Sequence, residues 1–456
     1  ARRRCGRSGR QPDAARERSA VTPAQPDGGP LPGMGELPDE VRAAPHGSLA
    51  GAADGTGRIG ARPFSVYLHV PYCRVRCGYC DFNTYTNLAM GRGASAGDYV
   101  DTLAGELRLA RAAMDTAGLQ QRAVRTVFVG GGTPTMLPVG DLARMVDLVR
   151  GTWGLAEAAE VTTEANPETV DERYLAGLAR AGFTRVSFGM QSTVPRVLAV
   201  LDRVHTPERV PKVVRWARRA GLSTSLDLIY GAPGESAGDW ARSLDEAIAI
   251  GADHVSAYAL VIEEGTRMWA RVRRGELEMP GDDDEAAKYE MADAILAAAG
   301  YEWYEISNWA RPGRECRHNE AYWRDWDWWG AGPGAHSHLG DVRMWNVKHP
   351  VAWAGRVRSG RLPVAGHEVV DTGARELERV MLGIRMREGL ELARLVRIGR
   401  DGAEPTMSDG TPRRLVPVVS RLVDDGLLDD AAPAGRAVLT LRGRLMADHV
   451  TRELVG

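Results

Sequence analysis

Three thiols crowd into eight positions of this chain: Cys73, Cys77 and Cys80 in the run Tyr67-Leu-His-Val-Pro-Tyr-Cys73-Arg-Val-Arg-Cys77-Gly-Tyr-Cys80. Three thiolates can hold three irons of a 4Fe-4S cubane, leaving the fourth to the amino and carboxylate groups of S-adenosylmethionine. An electron passed from such a cluster into the sulfonium releases a 5′-deoxyadenosyl radical. The competing chemistry is structural zinc, which takes four protein ligands in C-x2-C pairs, and no second pair exists here.

Composition narrows the setting. Five cysteines in 456 residues make a poor disulfide framework, so a reducing, cytoplasmic location is expected. The net charge of -2 supplies no basic field, and nucleic acid is not an expected partner. No stretch of about 18 apolar residues occurs, and the N-terminal sequence lacks a secretory apolar core. Residues 1–61 are rich in Arg, Gly, Ala, Pro and Asp and are expected to be disordered. Because the sequence begins with Ala1 and Met34 opens a more ordinary stretch, an upstream reading-frame extension is expected over the first 33 residues. Cys5, within it, reads as an exposed thiol without a role.

The elements that must position the thiols follow. Short β-branched runs at Ser65–Val70, Arg125–Val129, Glu160–Glu164, Arg185–Phe188, Ser223–Ile229 and His254–Ala259 have the length of buried parallel strands. Helical stretches separate them, at Asp98–Ala113, Leu142–Arg150, Glu172–Ala181, Glu208–Ala220 and Asp239–Ile250. Six βα units in series predict an α/β fold, a partial TIM-like (β/α)6 barrel over residues 62–265, with chemistry at the C-terminal strand ends. Residues 266–365 read as a Trp- and Gly-rich extension of the barrel. Residues 366–456 read as a smaller C-terminal α+β domain, winged-helix-like in its helix, strand, turn, strand, helix order. Within it Leu377, Val380, Met381 and Ile384 mark one helix face. From Met407 onward seven Arg balance seven acidic residues, which argues for packing over DNA contact.

The strand ends carry further groups. Gly130-Gly-Gly-Thr-Pro134 follows the second strand, where glycines let a ligand approach the backbone; without the Lys-Ser/Thr ending it is not a P-loop. Glu164, Gln191 and Asp227 end the next three strands, and facing inward they suit the ribose and remaining nucleoside groups of the cosubstrate.

The cysteine triplet, Gly130–Thr135 (GGGTPT), Phe188–Ser192 (FGMQS), Asp227–Gly234 (DLIYGAPG), His318–Trp323 (HNEAYW) and Gly330–Ser337 (GAGPGAHS) together resemble the oxygen-independent coproporphyrinogen III oxidase family of radical SAM proteins, from Pro63 to the C-terminus. The oxidases have a further Cys two residues after the third ligand, where this chain has Phe82. Cys80-Asp-Phe-Asn-Thr-Tyr-Thr86 instead resembles the heme-chaperone branch. Only low-complexity sequence precedes Pro63, where the oxidases carry a substrate-pocket segment.

The resemblance implies a heme chaperone that binds heme, a 4Fe-4S cluster and S-adenosylmethionine and delivers heme to apo-hemoproteins, without oxidase activity. The alternative it leaves is radical decarboxylation of coproporphyrinogen III to protoporphyrinogen IX. It further implies that Tyr67, Tyr79, Gly132, Thr133, Glu164, Gln191, Arg203, Asp227 and Ala259 line the S-adenosylmethionine site, and it points to His318 as a heme ligand. Arg203 suits the cosubstrate's carboxylate or ribose oxygens by its own chemistry. Seven of twelve Trp fall between 303 and 345, aromatic surface suited to flanking a porphyrin. Cys316 reads as a partly buried free thiol with heme ligation as the competing role, and His336 and His338 as closing the barrel's far side. Membrane contact is expected only peripherally, through acceptors, and a homodimer is compatible with the sequence.

Overall fold

The computed structural model describes residues 28–32, 36–42, 62–119, 121–399 and 402–456. Cys5 and the start at Met34 lie outside them. The parallel core alternates β1 (Phe64–Val70), α1 (Tyr99–Thr116), β2 (Val124–Gly131), α2 (Val139–Trp153), β3 (Leu155–Ala165), α3 (Glu172–Arg180), β4 (Arg185–Gln191), α4 (Pro195–Val200), α5 (Val210–Arg219), β5 (Ser223–Tyr230), α6 (Ala237–Ile250) and β6 (His254–Ala259). The six strands pair in sequence order, each parallel to the next.

Local sequence explains these boundaries. Helix α1 buries Val100, Leu103, Leu107, Ala110 and Met114, a stripe at helical spacing that packs on the sheet. Helix α6 starts at a Ser236/Asp239 capping box and ends where Gly251 turns left-handed at φ 75°.

Past residue 265 come α7 (Arg267–Arg273), α8 (Asp282–Ala298), β7 (Glu302–Glu305), β8 (Asn308–Ala310), α9 (Arg317–Trp323), β9 (Asp327–Ala331), β10 (His336–Leu339), β11 (Val342–Asn346), α10 (Pro350–Arg358) and β12 (Val364–Val369). They widen the barrel at both edges. β9 runs parallel to β1 on the side away from β2, a seventh parallel strand beyond the six expected. β10 to β12 continue antiparallel from it, while β8 and β7 add antiparallel beyond β6, giving one sheet of twelve strands.

The low-complexity stretch needs one correction. Leu37 and Val41 enter the main core, and Gly29 bridges to His367 on β12, so two apolar side chains and one backbone pairing suffice to place those short segments.

The C-terminal part has its own core, to which α11 (Thr372–Gly383), α12 (Val416–Asp424) and, after the short α13 (Leu441–Leu445), α14 (Ala447–Val455) contribute, with β13 (Leu390–Glu391) paired antiparallel to a strand at Arg436–Ala437. Of the α11 stripe, Val380 and Ile384 are buried while Leu377 and Met381 stay exposed. Two buried arginines tie this part to the barrel. Arg375 donates to Asp341 at 2.9 Å and to the Gly340 carbonyl at 2.9 Å, and Arg444 reaches Asp293 at 2.7 Å. Among the described residues, no helix is long and apolar enough to cross a membrane.

Candidate functional site

The β1 end delivers the cysteine loop, and backbone pairing fixes its shape. Cys73 N–H donates to the Tyr85 carbonyl at 3.0 Å and Tyr85 N–H to the Pro71 carbonyl at 2.7 Å, so residues 71–85 close on themselves. The turn after β2 docks against this loop: Gly132 N–H and Thr133 N–H donate to the Val70 and Tyr72 carbonyls, both at 2.8 Å. A Cβ on Gly132 would stand 2.6 Å from the Tyr72 carbonyl oxygen, so glycine there serves close approach of backbone to backbone. The sequence suggested approach by a ligand; the observed neighbour is the cysteine loop itself.

Two side chains fasten the loop's outer limb. His69 Nε2 is 2.9 Å from the Asn83 carbonyl, which makes that nitrogen the donor and Nδ1 the acceptor of the Tyr67 hydroxyl at 3.0 Å. Asn83 Nδ2 donates to the Pro333 and Lys348 carbonyls at 2.9 and 2.8 Å, joining the loop to the Gly-rich turn between β9 and β10 and to the segment after β11.

Each of the three sulfurs has its own polar neighbour. Thr133 Oγ1 donates to Cys73 Sγ at 3.8 Å, Arg203 Nη1 to Cys77 Sγ at 3.5 Å, and Thr84 Oγ1 lies 3.9 Å from Cys80 Sγ. Hydrogen bonds to sulfur are how a protein tunes an iron–sulfur cluster. Burial pushes the Cys73 thiol up to about 11 and the Cys80 thiol up as well, so thiolates here call for positive charge such as iron brings. Among the described residues no trio of His, Cys, Asp or Glu gathers round one point as ligands of a single ion would. The ligands of a cubane bind separate irons and stand further apart. Three thiols on one loop, each with a polar neighbour of its own, are a donor set that fits a cluster.

All three cysteines line one cavity of about 930 Å³ that runs into the barrel lumen. Of the residues expected to hold the cosubstrate, Tyr67, Tyr79, Gly132, Thr133, Glu164, Gln191, Arg203 and Asp227 line it. Ala259 does not: at the end of β6 it packs against the main core. Gln191, at φ 58° on a register shift between β4 and β5, places its Oε1 in the cavity wall buried and without a partner. An orphaned acceptor in the wall is what a nucleoside's hydroxyl or amine would satisfy. Glu164 Oε2 accepts from Gly131 N–H at 2.9 Å; burial and then the charge of Asp227 push its carboxyl up to about 8. Asp227 is also held up by burial, while the Ser187 hydroxyl, at 2.9 Å, stabilises its charge. Two carboxyls sharing a buried wall favour a cationic guest.

Arg203 has a different engagement from the one its chemistry suggested. Nη1 goes to Cys77, Nη2 to the Gly189 carbonyl at 2.9 Å, and Nε to His205 Nδ1 at 3.3 Å. With Nδ1 accepting, His205 presents Nε2–H, and that nitrogen is buried without a partner.

His318 forms part of the cavity floor, stacked on Phe128 at 5.1 Å. Thr126 Oγ1 lies 2.7 Å from Nδ1 and Tyr322 Oη 3.1 Å from Nε2, and burial lowers the imidazole to about 3. Both nitrogens are committed, so the geometry favours a structural histidine over an axial ligand. Cys316, whose thiol donates to Glu160 at 3.5 Å, is buried and held neutral, which fits the free-thiol reading. None of the seven Trp lines the cavity; Trp309 and Trp329 fill the core instead. His338 closes the far side through the Gly340 carbonyl at 2.9 Å, while His336, on the same short strand, is exposed.

His69, Thr84, Asn83 and His205 escaped the sequence reading. Strand alternation was the available signal for His69, two positions after Tyr67 on β1.

The family model of the Radical SAM superfamily matches residues 67–247. The Heme chaperone HemW of Mycobacterium tuberculosis is 50% identical over 403 residues, covering 88% of this chain and 97% of that protein. The Heme chaperone HemW of Bacillus subtilis is 31% identical, covering 86% of this chain and 99% of its own length. Among solved structures, coproporphyrinogen III oxidase (HemN) from Escherichia coli superposes with a TM-score of 0.70 at 22% identity, over 86% of this chain and 90% of that one, and shares the fold. With a matching cysteine loop, barrel and near full-length relatives, this chain belongs to the HemW family within the radical SAM superfamily.

Proposed function

We propose that this protein is a heme chaperone of the reducing cytoplasm, which takes up heme and passes it to apo-hemoproteins, with a 4Fe-4S cluster and S-adenosylmethionine as its resident cofactors. The observation that carries the reading is the trio of sulfurs, each with its own polar neighbour, at the mouth of a cavity whose wall is acidic and short of partners. The name shared by relatives up to 50% identical supports the heme cargo. Cys73, Cys77 and Cys80 would hold the cluster, and Glu164, Gln191 and Asp227 would hold the cosubstrate in the wall they line. A cluster bound there would supply an electron to the cosubstrate's sulfonium. Thr84, Thr133 and Arg203 stabilise thiolate charge, and the paired carboxyls accept a cation.

Coproporphyrinogen decarboxylation is not expected, and acceptors bound to membranes would provide the only membrane contact. Protein with its cluster reconstituted anaerobically should bind ferric heme and transfer it to an apo-hemoprotein, and should form no protoporphyrinogen from coproporphyrinogen with a reductant. A failure to bind heme, or turnover that depends on Cys73, would overturn the proposal.

A further inference from the structure

The rim of the cavity has the opposite character to its wall. Val75, Phe82 and Val204 are 45, 56 and 69% exposed, and all three border the same opening. They come from two separate segments: Val75 and Phe82 from the cysteine loop, Val204 from the stretch after α4. Single exposed apolar residues are ordinary, whereas several around one opening form a patch.

Two guanidinium groups flank it. Arg74 and Arg76 are exposed and border the cavity beside Val75. Arg76 Nη2 donates to the Cys80 carbonyl at 3.1 Å, and Arg74 has no side-chain hydrogen bond or ion pair among the described residues. Two carboxylates that line the cavity below the rim are engaged, Asp202 with Arg267 at 3.3 Å and Glu168 with Thr206 N–H at 2.9 Å, while Asp81, beside Phe82, is exposed.

We infer that heme is carried on this rim: the macrocycle lies across the mouth against Phe82, Val75 and Val204, and the propionates face Arg74 and Arg76. An apolar body with two carboxylates on one edge is the complement of an apolar rim edged by two guanidiniums. The interior suits it poorly, since Glu164, Asp227 and Gln191 would lose solvent against an apolar ring. Of the two interior ligands that the sequence offered, His318 has both ring nitrogens committed and the Cys316 thiol donates to Glu160. The seat uses Phe82, an aromatic ring exposed two residues after the third cysteine. It rests on the heme-chaperone reading and adds a consequence of its own: heme across the mouth blocks the way out for a small molecule bound beneath it.

The test uses full-length protein with its cluster reconstituted, titrated with ferric heme. Phe82→Ala, Val204→Asp and the pair Arg74→Glu with Arg76→Glu should each weaken heme binding by roughly tenfold or more, the order expected for losing one buried apolar side chain or reversing a propionate partner. Iron and sulfide content should be unchanged, and Val204→Asp lies outside the cysteine loop, which separates loss of the seat from loss of the cluster. Heme loading should also slow release of labelled S-adenosylmethionine. Wild-type affinity in all three variants would overturn the seat. So would variants that keep heme affinity but lose transfer to an apo-globin, which would assign the rim to protein acceptors. A wild-type protein that takes no heme would instead bring down the function on which the seat depends.

Discussion

Glu160→Ala is expected to destabilise the protein by about 3–5 kcal/mol, the usual result of stranding a buried charge. Glu160 is buried at the start of the inward-facing part of β3, and Arg185 Nε stands 3.6 Å from its Oε2. The carboxylate also caps α9, accepting from Arg317 N–H and His318 N–H at 3.1 Å each. Arg185 completes the clamp by donating to the Arg314 and Glu315 carbonyls at 2.7 and 2.9 Å. Removing Glu160 therefore leaves a buried guanidinium without its counter-charge and two helix N–H groups without their acceptor, and frees the segment that sets the cavity floor. Denaturant unfolding would show the midpoint shift. Glu160→Gln should lose less, because an amide oxygen still accepts. Combining Glu160→Met with Arg185→Met should cost less than the sum of the single changes, because no charge is then stranded. An additive double variant would contradict the clamp.

The second large effect is on pH dependence. A carboxyl raised to about 8 in the folded protein, with an ordinary value near 4.5 once unfolded, keeps its proton in the folded state across that interval. The unfolded chain binds fewer protons there, so the contribution to stability is complete below about pH 4.5 and is lost as pH rises to about 8. Asp227, also raised, adds in the same direction. Glu164→Gln should flatten this slope in the cofactor-free protein, measured by denaturant midpoints across the interval. Cosubstrate binding should show the inverse: a sulfonium cation favours the ionised carboxylate, so affinity should climb by up to about tenfold per pH unit below pH 8 and level off above it. In Glu164→Gln that rise should shrink to whatever Asp227 contributes. An unchanged profile would mean that Glu164 does not meet the cation.

What the sequence revealed depended on how local each signal was. The six core strands were legible because each is a short apolar, β-branched run between helical stretches, and their observed bounds differ by a few residues. β9 was not, because its partner β1 lies more than two hundred residues away, and the Trp-Trp-Gly-Ala run that forms it has no period of its own. The α11 stripe was half right: four apolar positions share a helical face, but the small second core reaches only Val380 and Ile384. At the site, the cysteines were visible from spacing. The commitments of Arg203 and His318 were not, since Cys77, Gly189, Thr126 and Tyr322 reach them only through the fold. The placing of Ala259 was not legible either: it packs on the main core, and the lumen wall at that strand end is made by Tyr258.

The proposed function requires that the three sulfurs hold a cubane. The direct measurement is iron and acid-labile sulfide in anaerobically prepared protein, beside a variant with Cys73, Cys77 and Cys80 all changed to serine. The expected result is both elements in the wild type in the proportion of a 4Fe-4S cluster and neither in the variant. Zinc without sulfide in the wild type, or iron and sulfide retained after all three substitutions, would contradict it.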